Sequence, residues 1–350
     1  MVNIQTQYAG LSLQSPIIIG SSGLTNNAER NKAFEKAGAG AIVLKSLFEE
    51  QMEMQGDAML YEADYPEASD LIRGYVKANQ VETYLQLIRD SKKACSIPII
   101  ASVNCYRADS WIEFAARLQE AGADAIELNL LLLETEINGK GNEVEENYIR
   151  ILRMIKQVVS IPVTVKLSKY TSNLPALVNK LKANGAAGVV LFNRMYQPDI
   201  DINKLQIVSG QLFSNPTDLS DTIRWTAIVS GLVKGIDIVS STGVHDWEGV
   251  IKCILAGASG VQMCSAIYTH GTEIISQITT CVEEWMHQAG YENLSQFKGK
   301  LLEIYRPHVK DHCVLCNRGR CRAYARCSRK AECRYGGEES RLHCPHYRQR

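Results

Sequence analysis

Two lysines and three asparagines each end or directly follow a short apolar run. The lysines are Lys45 in "AIVLKS" and Lys166 in "PVTVK", and the asparagines are Asn104, Asn129 and Asn193. One such residue has an ordinary explanation, since a lysine at a strand end reaches solvent and an asparagine there closes a turn. Five at equivalent positions are costly to bury together unless a ligand or each other satisfies them. We therefore expect them to surround one ligand.

Small, donor-rich residues follow two later apolar runs, in "IVSSTGVHDW" and "VQMCSAIYTHG". They are Ser241, Thr242 and Gly243 in the first turn, and Cys264 and Ser265 in the second. Hydroxyl groups and backbone N–H groups gathered in such turns are suited to bind phosphate. The sequence therefore predicts a phosphate-bearing cofactor.

Four segments share one pattern, an alanine-rich helix end, a glycine and then a short apolar run. They are "KAGAGAIVLK", "EAGADAIELN", "ANGAAGVVLF" and "LAGASGVQMC", and the runs "PIIIG", "PIIAS", "PVTVK" and "GIDIVS" alternate with them. The glycine is typical of a helix C-terminus and the apolar run of a buried parallel strand. Eight such βα units over roughly 290 residues favour a closed (β/α)8 TIM barrel over an open doubly wound sheet.

Chemistry in such a barrel lies where the strands end, at the C-terminal face. The lysines, the asparagines and the donor-rich turns all fall at these ends, so they converge on one mouth. The longest insertion, from Ser46 to about Gln80, follows the second strand. It predicts a lid or a partner surface on the same face.

The charges of the chain balance, with 38 Lys plus Arg against 38 Asp plus Glu. This balance gives no case for a nucleic-acid or membrane partner. The first residues do not resemble a signal peptide, and no apolar stretch approaches the roughly 20 residues that cross a bilayer. Scattered cysteines in a large α/β chain are typical of a reducing compartment. We expect a cytoplasmic protein.

The C-terminal segment differs from the rest of the chain. From Asp311 onward ten basic residues stand against four acidic ones, a net charge of +6, and six cysteines crowd into the same stretch. Thiolates at such spacing can bind Zn²⁺ or an iron–sulfur cluster. The candidate ligands are Cys313, Cys316, Cys321 and Cys327. The alternative is an unfolded basic tail. We predict a barrel over residues 1–305 and a tail over 306–350.

From about Tyr8 to Lys300 the chain resembles the dihydroorotate dehydrogenase family of FMN-dependent (β/α)8 barrels. The motifs are "SPIIIGSSGL", "AIVLKS", "AIELN", "VTVKLS", "VVLFN" and "STGVHDWEGVIKCILAGASGVQMCSAIY", in this order. The resemblance implies oxidation of dihydroorotate to orotate by hydride transfer to flavin N5, a step of pyrimidine biosynthesis. It also implies a small-molecule substrate, a soluble electron acceptor and a homodimer.

The resemblance assigns the polar residues of the mouth to FMN. Together with Asn104, Ser241 and Thr242, which are predicted from their positions at the strand ends, the expected contacts are Ser21, Ser22, Gly23, Lys45, Ser46, Asn129, Lys166, Asn193, Gly243, Cys264 and Ser265. A cationic Lys166 suits the N1–C2 edge of the ring, because reduced flavin accumulates negative charge there. The alternative for Lys45 or Lys166 is the Schiff-base nucleophile of a barrel aldolase. An aldolase would leave unexplained the donor-rich turns suited to phosphate and the three asparagines at the strand ends.

The stretch "ELNLLLLETE" departs from the family pattern on the substrate side. After the strand-four asparagine the family usually places a serine or cysteine base, and here that position is Leu132. An alkyl side chain cannot accept a proton, so the candidates for a displaced base are Cys105 and Glu134. Lys45 could hold an anionic substrate. Three interpretations stay open: dihydroorotate oxidation with a displaced base, an FMN oxidoreductase acting on another small ene or dihydro substrate, and a flavin-binding protein without turnover.

A second departure lies after the sixth strand. Arg194 follows Asn193 at a position where the family commonly has a serine. The cofactor half of the site therefore matches the family, and the substrate half does not.

Overall fold

Eight parallel strands close into a barrel in the computed structural model, which describes residues 2–48, 54, 69–104, 112–130, 137–138 and 142–302. Each strand pairs with the next, and the eighth pairs with the first. The strands are β1 (Ile17–Ile19), β2 (Ala41–Val43), β3 (Ile99–Asn104), β4 (Ala125–Asn129), β5 (Val163–Leu167), β6 (Gly188–Leu191), β7 (Asp237–Ser241) and β8 (Gly260–Met263). The prediction of a (β/α)8 TIM barrel is confirmed.

A helix follows each strand on the outside of the barrel. The helices are α1 (Ala28–Lys36), α2 (Ser69–Ala94), α3 (Ile112–Glu120), α4 (Glu143–Val158), α5 (Leu174–Ala183), α6 (Leu219–Leu232), α7 (Trp247–Leu255) and α8 (Ile274–Gln288). Helix α2 begins at Ser69, so the predicted insertion is shorter at its C-terminal end than the sequence suggested. Its other residues, 49–53 and 55–68, lie outside the described part of the chain.

The glycine of each repeated segment ends the helix before an even-numbered strand. Gly38, Gly122, Gly185 and Gly257 have φ angles of +103°, +98°, +93° and +102°. Only glycine adopts this region without steric cost, so it reverses the chain from the helix toward the next strand. The repeat in the sequence is therefore a repeat of helix ends, and it spaces the even strands regularly around the barrel.

Alternation along the strands separates two apolar clusters. In β4, Ala125 belongs to a small interior cluster, while Ile126 and Leu128 belong to the large core between strands and helices. The interior positions that follow toward the C-terminal end are polar, as with Glu127 and Asn129. Because successive side chains of a strand point to opposite faces of the sheet, the apolar side chains of β4 pack against the helices and the polar ones face the interior near the mouth.

A hairpin at the N-terminus closes the opposite end of the barrel. Its strands, Thr6–Tyr8 and Leu11–Leu13, pair antiparallel. Tyr8 is fully buried and packs against the start of β6, where a Cβ atom on Gly188 would lie 2.7 Å from the Tyr8 ring. Glycine is therefore required at this position to admit the tyrosine.

A second hairpin lies between β6 and α6. Its strands, Pro198–Asp201 and Gln206–Ser209, pair antiparallel and are largely exposed. The sequence analysis did not predict it, because the stretch has neither the apolar run of a barrel strand nor a glycine-rich turn.

The barrel lies within a unit that spans Met1–Arg306. The proposed boundary between residues 305 and 306 stays a prediction, because residues 303–350 lie outside the described part of the chain. Among the helices that are described, none has the length and hydropathy needed to span a membrane.

Candidate active site

A cavity of about 270 Å³ opens at the C-terminal ends of the strands. Eight of the fourteen expected cofactor contacts line it: Ser21, Lys166, Asn193, Ser241, Thr242, Gly243, Cys264 and Ser265. They come from β1, β5, β6, β7 and β8 or the loops that follow these strands. Barrel closure thus brings residues more than 200 positions apart in the sequence to one cavity.

A chain of hydrogen bonds connects the cavity to β2, β3 and β4. The Nδ2 of Asn193 donates to Oδ1 of Asn129, whose Nδ2 donates to Oγ of Ser46 at 3.3 Å. The Ser46 hydroxyl also lies 2.9 Å from the hydroxyl of Ser21 and 2.7 Å from that of Ser102. Ser46 is therefore the centre of a polar layer that fixes both asparagine amides.

Lys166 is held by a second chain in the barrel interior. Its Nζ donates to Oε1 of Gln262 at 2.9 Å, and Nε2 of Gln262 donates to Oε2 of Glu127. The three residues are buried, with exposed fractions of 7%, 3% and 0%. Burial raises the pKa of Glu127, and Lys166 and the Gln262 hydrogen bond oppose that rise. An ammonium has three donors, and among the described residues Lys166 uses one of them, on Gln262.

The turn after β7 has a conformation that side chains rarely adopt. Thr242 has φ +80° and Gly243 has φ +86°. Thr242 is β-branched, so its backbone is strained, and its hydroxyl donates to the carbonyl of Phe192 at 3.0 Å. A Cβ atom on Gly243 would lie 2.3 Å from the backbone nitrogen of Leu219, at the start of α6. The turn is therefore pressed against α6, and only glycine fits there.

The residues after β8 complete this side of the cavity. Ser265 accepts a hydrogen bond from the backbone nitrogen of Ser214 at 3.0 Å, which leaves its own O–H able to donate. Burial raises the pKa of the Cys264 thiol, although a hydrogen bond with Ser22 and the charge of Lys166 lower it. Cys264 is therefore a neutral thiol of the wall and not a reactive thiolate.

His245 supports the same wall from the β7–α7 loop. Its Nε2 lies 2.9 Å from the hydroxyl of Ser214, a residue that is almost fully buried. Burial lowers the pKa of His245, more than the hydrogen bond and the nearby carboxylates raise it. The neutral imidazole therefore joins the β6–α6 loop to the β7–α7 loop at neutral pH.

The other expected residues lie around this cavity or outside the described part of the chain. Ser22 caps the turn after β1 through a hydrogen bond from the backbone nitrogen of Leu24, and Gly23 is exposed beside the hydroxyl of Tyr268. Lys45 is exposed at the end of β2, and Asn104 ends β3; neither lines the cavity.

Cys105 and Glu134 lie outside the described residues, as do the cysteines proposed to bind a metal in the tail. Within the described ranges no group of three or more His, Cys, Asp or Glu is arranged to hold a metal ion.

Comparison with known proteins identifies the family of the chain. The family profile of dihydroorotate dehydrogenase matches residues 3–286, which is most of the chain. The chain belongs to this family. The dihydroorotate dehydrogenase family consists of oxidoreductases that act on CH–CH groups, and this chain is an enzyme of that class.

Three relatives illustrate the similarity, each a dihydroorotate dehydrogenase B (NAD(+)), catalytic subunit. The protein of Thermoplasma volcanium is 29% identical over 306 residues, with 85% of this chain and 98% of the relative covered. That of Methanosarcina acetivorans is 28% identical, with 83% and 93% covered. That of Pyrococcus abyssi is 26% identical, with 86% and 100% covered.

The sequence analysis missed the wall that the β6–α6 segment contributes to the cavity. It includes Arg194, Tyr196, Leu212, Phe213 and Ser214. Arg194 was noted only as a departure from the family. Gln262 was also missed, although it alternates with the apolar residues of β8 and so had to point into the barrel. That alternation was the one signal in the sequence that could have identified it.

Proposed function

We propose that this protein is an FMN-dependent oxidoreductase that oxidises dihydroorotate to orotate, with the cavity at the barrel mouth as its flavin site. The observation that carries the proposal is the buried Lys166, whose side chain lines the cavity together with the hydroxyl and amide groups of Ser21, Asn193, Thr242 and Ser265 and with a partly apolar wall that includes Leu212 and Phe213. A buried cation that donates to a single partner among the described residues favours an anionic or electron-rich ligand.

The residues of the cavity fit FMN at both of its ends. The turn with Thr242 and Gly243 and the hydroxyl of Ser265 form a donor-rich cradle suited to phosphate. At the other end, Asn129 and Asn193 are oriented by their own hydrogen bonds, so the unused amide atoms of Asn193 are presented in a fixed direction. The neutral donors at one end of the cavity would bind the phosphate of FMN, and the cation Lys166 at the other end would face the flavin ring.

When bound, FMN supplies the acceptor for the hydride that leaves the substrate. Lys166 would stabilise negative charge at the N1–C2 edge, and Asn129 and Asn193 would hold the ring in register. Lys45, exposed at the mouth, would bind the carboxylate of the substrate. The proton on the adjacent carbon requires a base. We propose Cys105 or Glu134 for this role, because the usual base position is Leu132.

Visible absorbance of the purified protein under anaerobic conditions tests this proposal. A yellow protein that bleaches when dihydroorotate is added is the expected result. Lys166→Ala should retain less FMN or reduce it more slowly. Lys169→Ala is the matched control, because this lysine also follows β5 but is half-exposed and paired with Asp221 at 3.6 Å. A wild-type protein that neither contains nor binds FMN would overturn the proposal.

Leu132 supports a second candidate, an FMN oxidoreductase acting on another small ene or dihydro substrate. With Leu131 and Leu133 it forms an apolar stretch where the family places polar residues. A yellow protein that dihydroorotate leaves oxidised, but that a less polar dihydro compound bleaches, would establish this candidate. A protein that stays yellow with every reductant of both kinds would establish a flavin-binding protein without turnover.

The remaining features of the proposal come from the family. We propose a cytoplasmic homodimer that passes electrons to a soluble acceptor. The names of the three relatives specify NAD(+) for those proteins. Size-exclusion chromatography with light scattering tests the dimer, and reoxidation of the reduced protein by NAD⁺ or fumarate tests the acceptor.

A further inference from the structure

Glu127 is a buried carboxyl group that the proposed function does not use. It lies on β4, one interior position below Asn129, and its side chain is fully buried. One carboxyl oxygen, Oε2, accepts the hydrogen bond from Gln262, and the other, Oε1, has no hydrogen-bond partner among the described residues. Such a group is expensive to bury, so its presence beneath the site calls for a specific role.

The role follows from the chemistry of the amide between Glu127 and Lys166. A glutamine side chain has one accepting end and one donating end, and an ammonium can only donate. Gln262 must therefore turn Oε1 toward Lys166, which leaves Nε2 pointing at Glu127. This buried Nε2 needs an acceptor on the far side, and Oε2 of Glu127 supplies it, so the amide is held at both ends.

We propose that Glu127 is a positioning residue that holds Gln262 in the orientation needed to direct the Lys166 ammonium toward a bound flavin. This inference rests on the proposed function, since it assigns the flavin to the cavity that Lys166 faces. Without an acceptor at position 127, Nε2 of Gln262 would be left unpaired in the buried interior, so the amide would no longer be held at both ends. Gln262 could then turn away from Lys166, which would lose the contact that fixes its ammonium below the cavity.

The surroundings of Glu127 support a role as an acceptor and not as a charge. The titratable groups that interact with it are Lys166, Tyr8 and Tyr84, and both tyrosines are buried. Burial raises the pKa of Glu127, which favours the neutral acid. In either protonation state an oxygen of this carboxyl group accepts the hydrogen bond from Gln262, so the role of acceptor does not depend on a charge at Glu127.

The test compares variants of the holoenzyme by the reduction potential of the bound FMN, measured against a redox dye. Glu127→Met removes the acceptor at similar volume, and Glu127→Gln keeps an acceptor without an ionisable group. Gln262→Met cuts the same chain at its middle residue. Thr226→Val is the control for the loss of a buried hydrogen bond elsewhere in the barrel. The hydroxyl of Thr226 lies 2.8 Å from that of Ser240, and neither residue belongs to the hydrogen-bonded series Lys166, Gln262 and Glu127.

We expect E127M to lose about tenfold in its preference for reduced over oxidised FMN, a fall of about 30 mV for a two-electron couple. E127Q should keep the wild-type reduction potential, and T226V should lower thermal stability without changing the reduction potential. Q262M should match E127M, and the double variant should fall no further, because both cut one chain. The Q262M and E127Q measurements still decide the matter if E127M fails to fold.

An unchanged potential in E127M and Q262M, with FMN bound, would overturn this inference and leave the proposed function intact. A fall in E127Q as large as in E127M would also overturn it, because the charge and not the acceptor would then matter. A wild-type protein that does not quench FMN fluorescence on titration would overturn the proposed function and this inference with it.

Discussion

The guanidinium of Arg194 lies 2.9 Å from the carboxylate of Asp218 and also donates to the carbonyl oxygens of Gln211 and Leu212. Arg194 directly follows Asn193 at the end of β6, and Asp218 directly precedes α6. One planar cation therefore ties both ends of the hairpin segment together and holds the outer wall of the cavity. Its hydrogen-bonding groups are engaged with this wall, which makes it a poor candidate for a substrate ligand.

Arg194→Lys should loosen the wall, because lysine cannot reproduce the fork of donors. We expect faster amide hydrogen exchange over residues 210–218 and a loss of about 1 kcal/mol in the free energy of unfolding. Arg224→Lys is the matched control, since Arg224 makes only an exposed pair with Asp221. Exchange rates at 210–218 that are the same in both variants would contradict this account.

Gly243→Ala should be strongly destabilising, because the new methyl group would overlap the backbone of Leu219. Gly290 offers a control with a similar backbone, at φ +74°, and open space around it. Gly290→Ala should cost about 1 kcal/mol for the left-handed backbone alone. Urea unfolding should show a loss at least about 2 kcal/mol larger for G243A, and equal losses would mean that the turn can move away from α6.

Ser46→Ala should lower stability by about 2 kcal/mol, because Ser21, Ser102 and Asn129 all lose a hydrogen-bond partner in a buried layer. Ser91→Ala is the comparison, since among the described residues the buried Ser91 hydroxyl accepts one side-chain hydrogen bond, from Nδ2 of Asn31. That variant should lose about 1 kcal/mol. Thermal unfolding of both variants measures the difference, and a smaller loss for S46A would count against the central place of Ser46.

Glu35 should make the fold less stable in acid. Burial acts to raise its pKa, but hydrogen bonds from Lys32 and Ser96 outweigh burial and lower the pKa to about 2, from an ordinary value of 4.5. A lowered carboxyl pKa contributes stability above the ordinary value, and this contribution is lost as pH falls from about 4.5 toward about 2.

Glu35→Gln should therefore cost about 2 kcal/mol at pH 7 and clearly less at pH 3, measured by urea unfolding. Glu29→Gln, an exposed change on the same helix, should cost less than about 0.5 kcal/mol. A cost of E35Q that is the same at both pH values would show that the carboxylate is not stabilised by these contacts.

The sequence by itself determined the barrel and the polar residues at its mouth. Strand periodicity, the helix-ending glycines such as Gly122, and the position of Lys166 at the end of an apolar run are local signals. They depend on neighbours a few residues apart, so they can be recognised without the fold. The family motifs include the same residues, so the local signals and the resemblance predict largely the same set of cofactor contacts.

Only the tertiary structure decided which residues face each other. Gln262 meets Lys166 across a separation of 96 residues and Glu127 across 135. No local pattern encodes these pairs, because they depend on how barrel closure aligns β4, β5 and β8. The same holds for Arg194, whose partners follow an unpredicted hairpin. The alternation of side chains along each strand determines which residues face the barrel interior and which face the helices. Contacts across the barrel form only when the strands have closed into a ring.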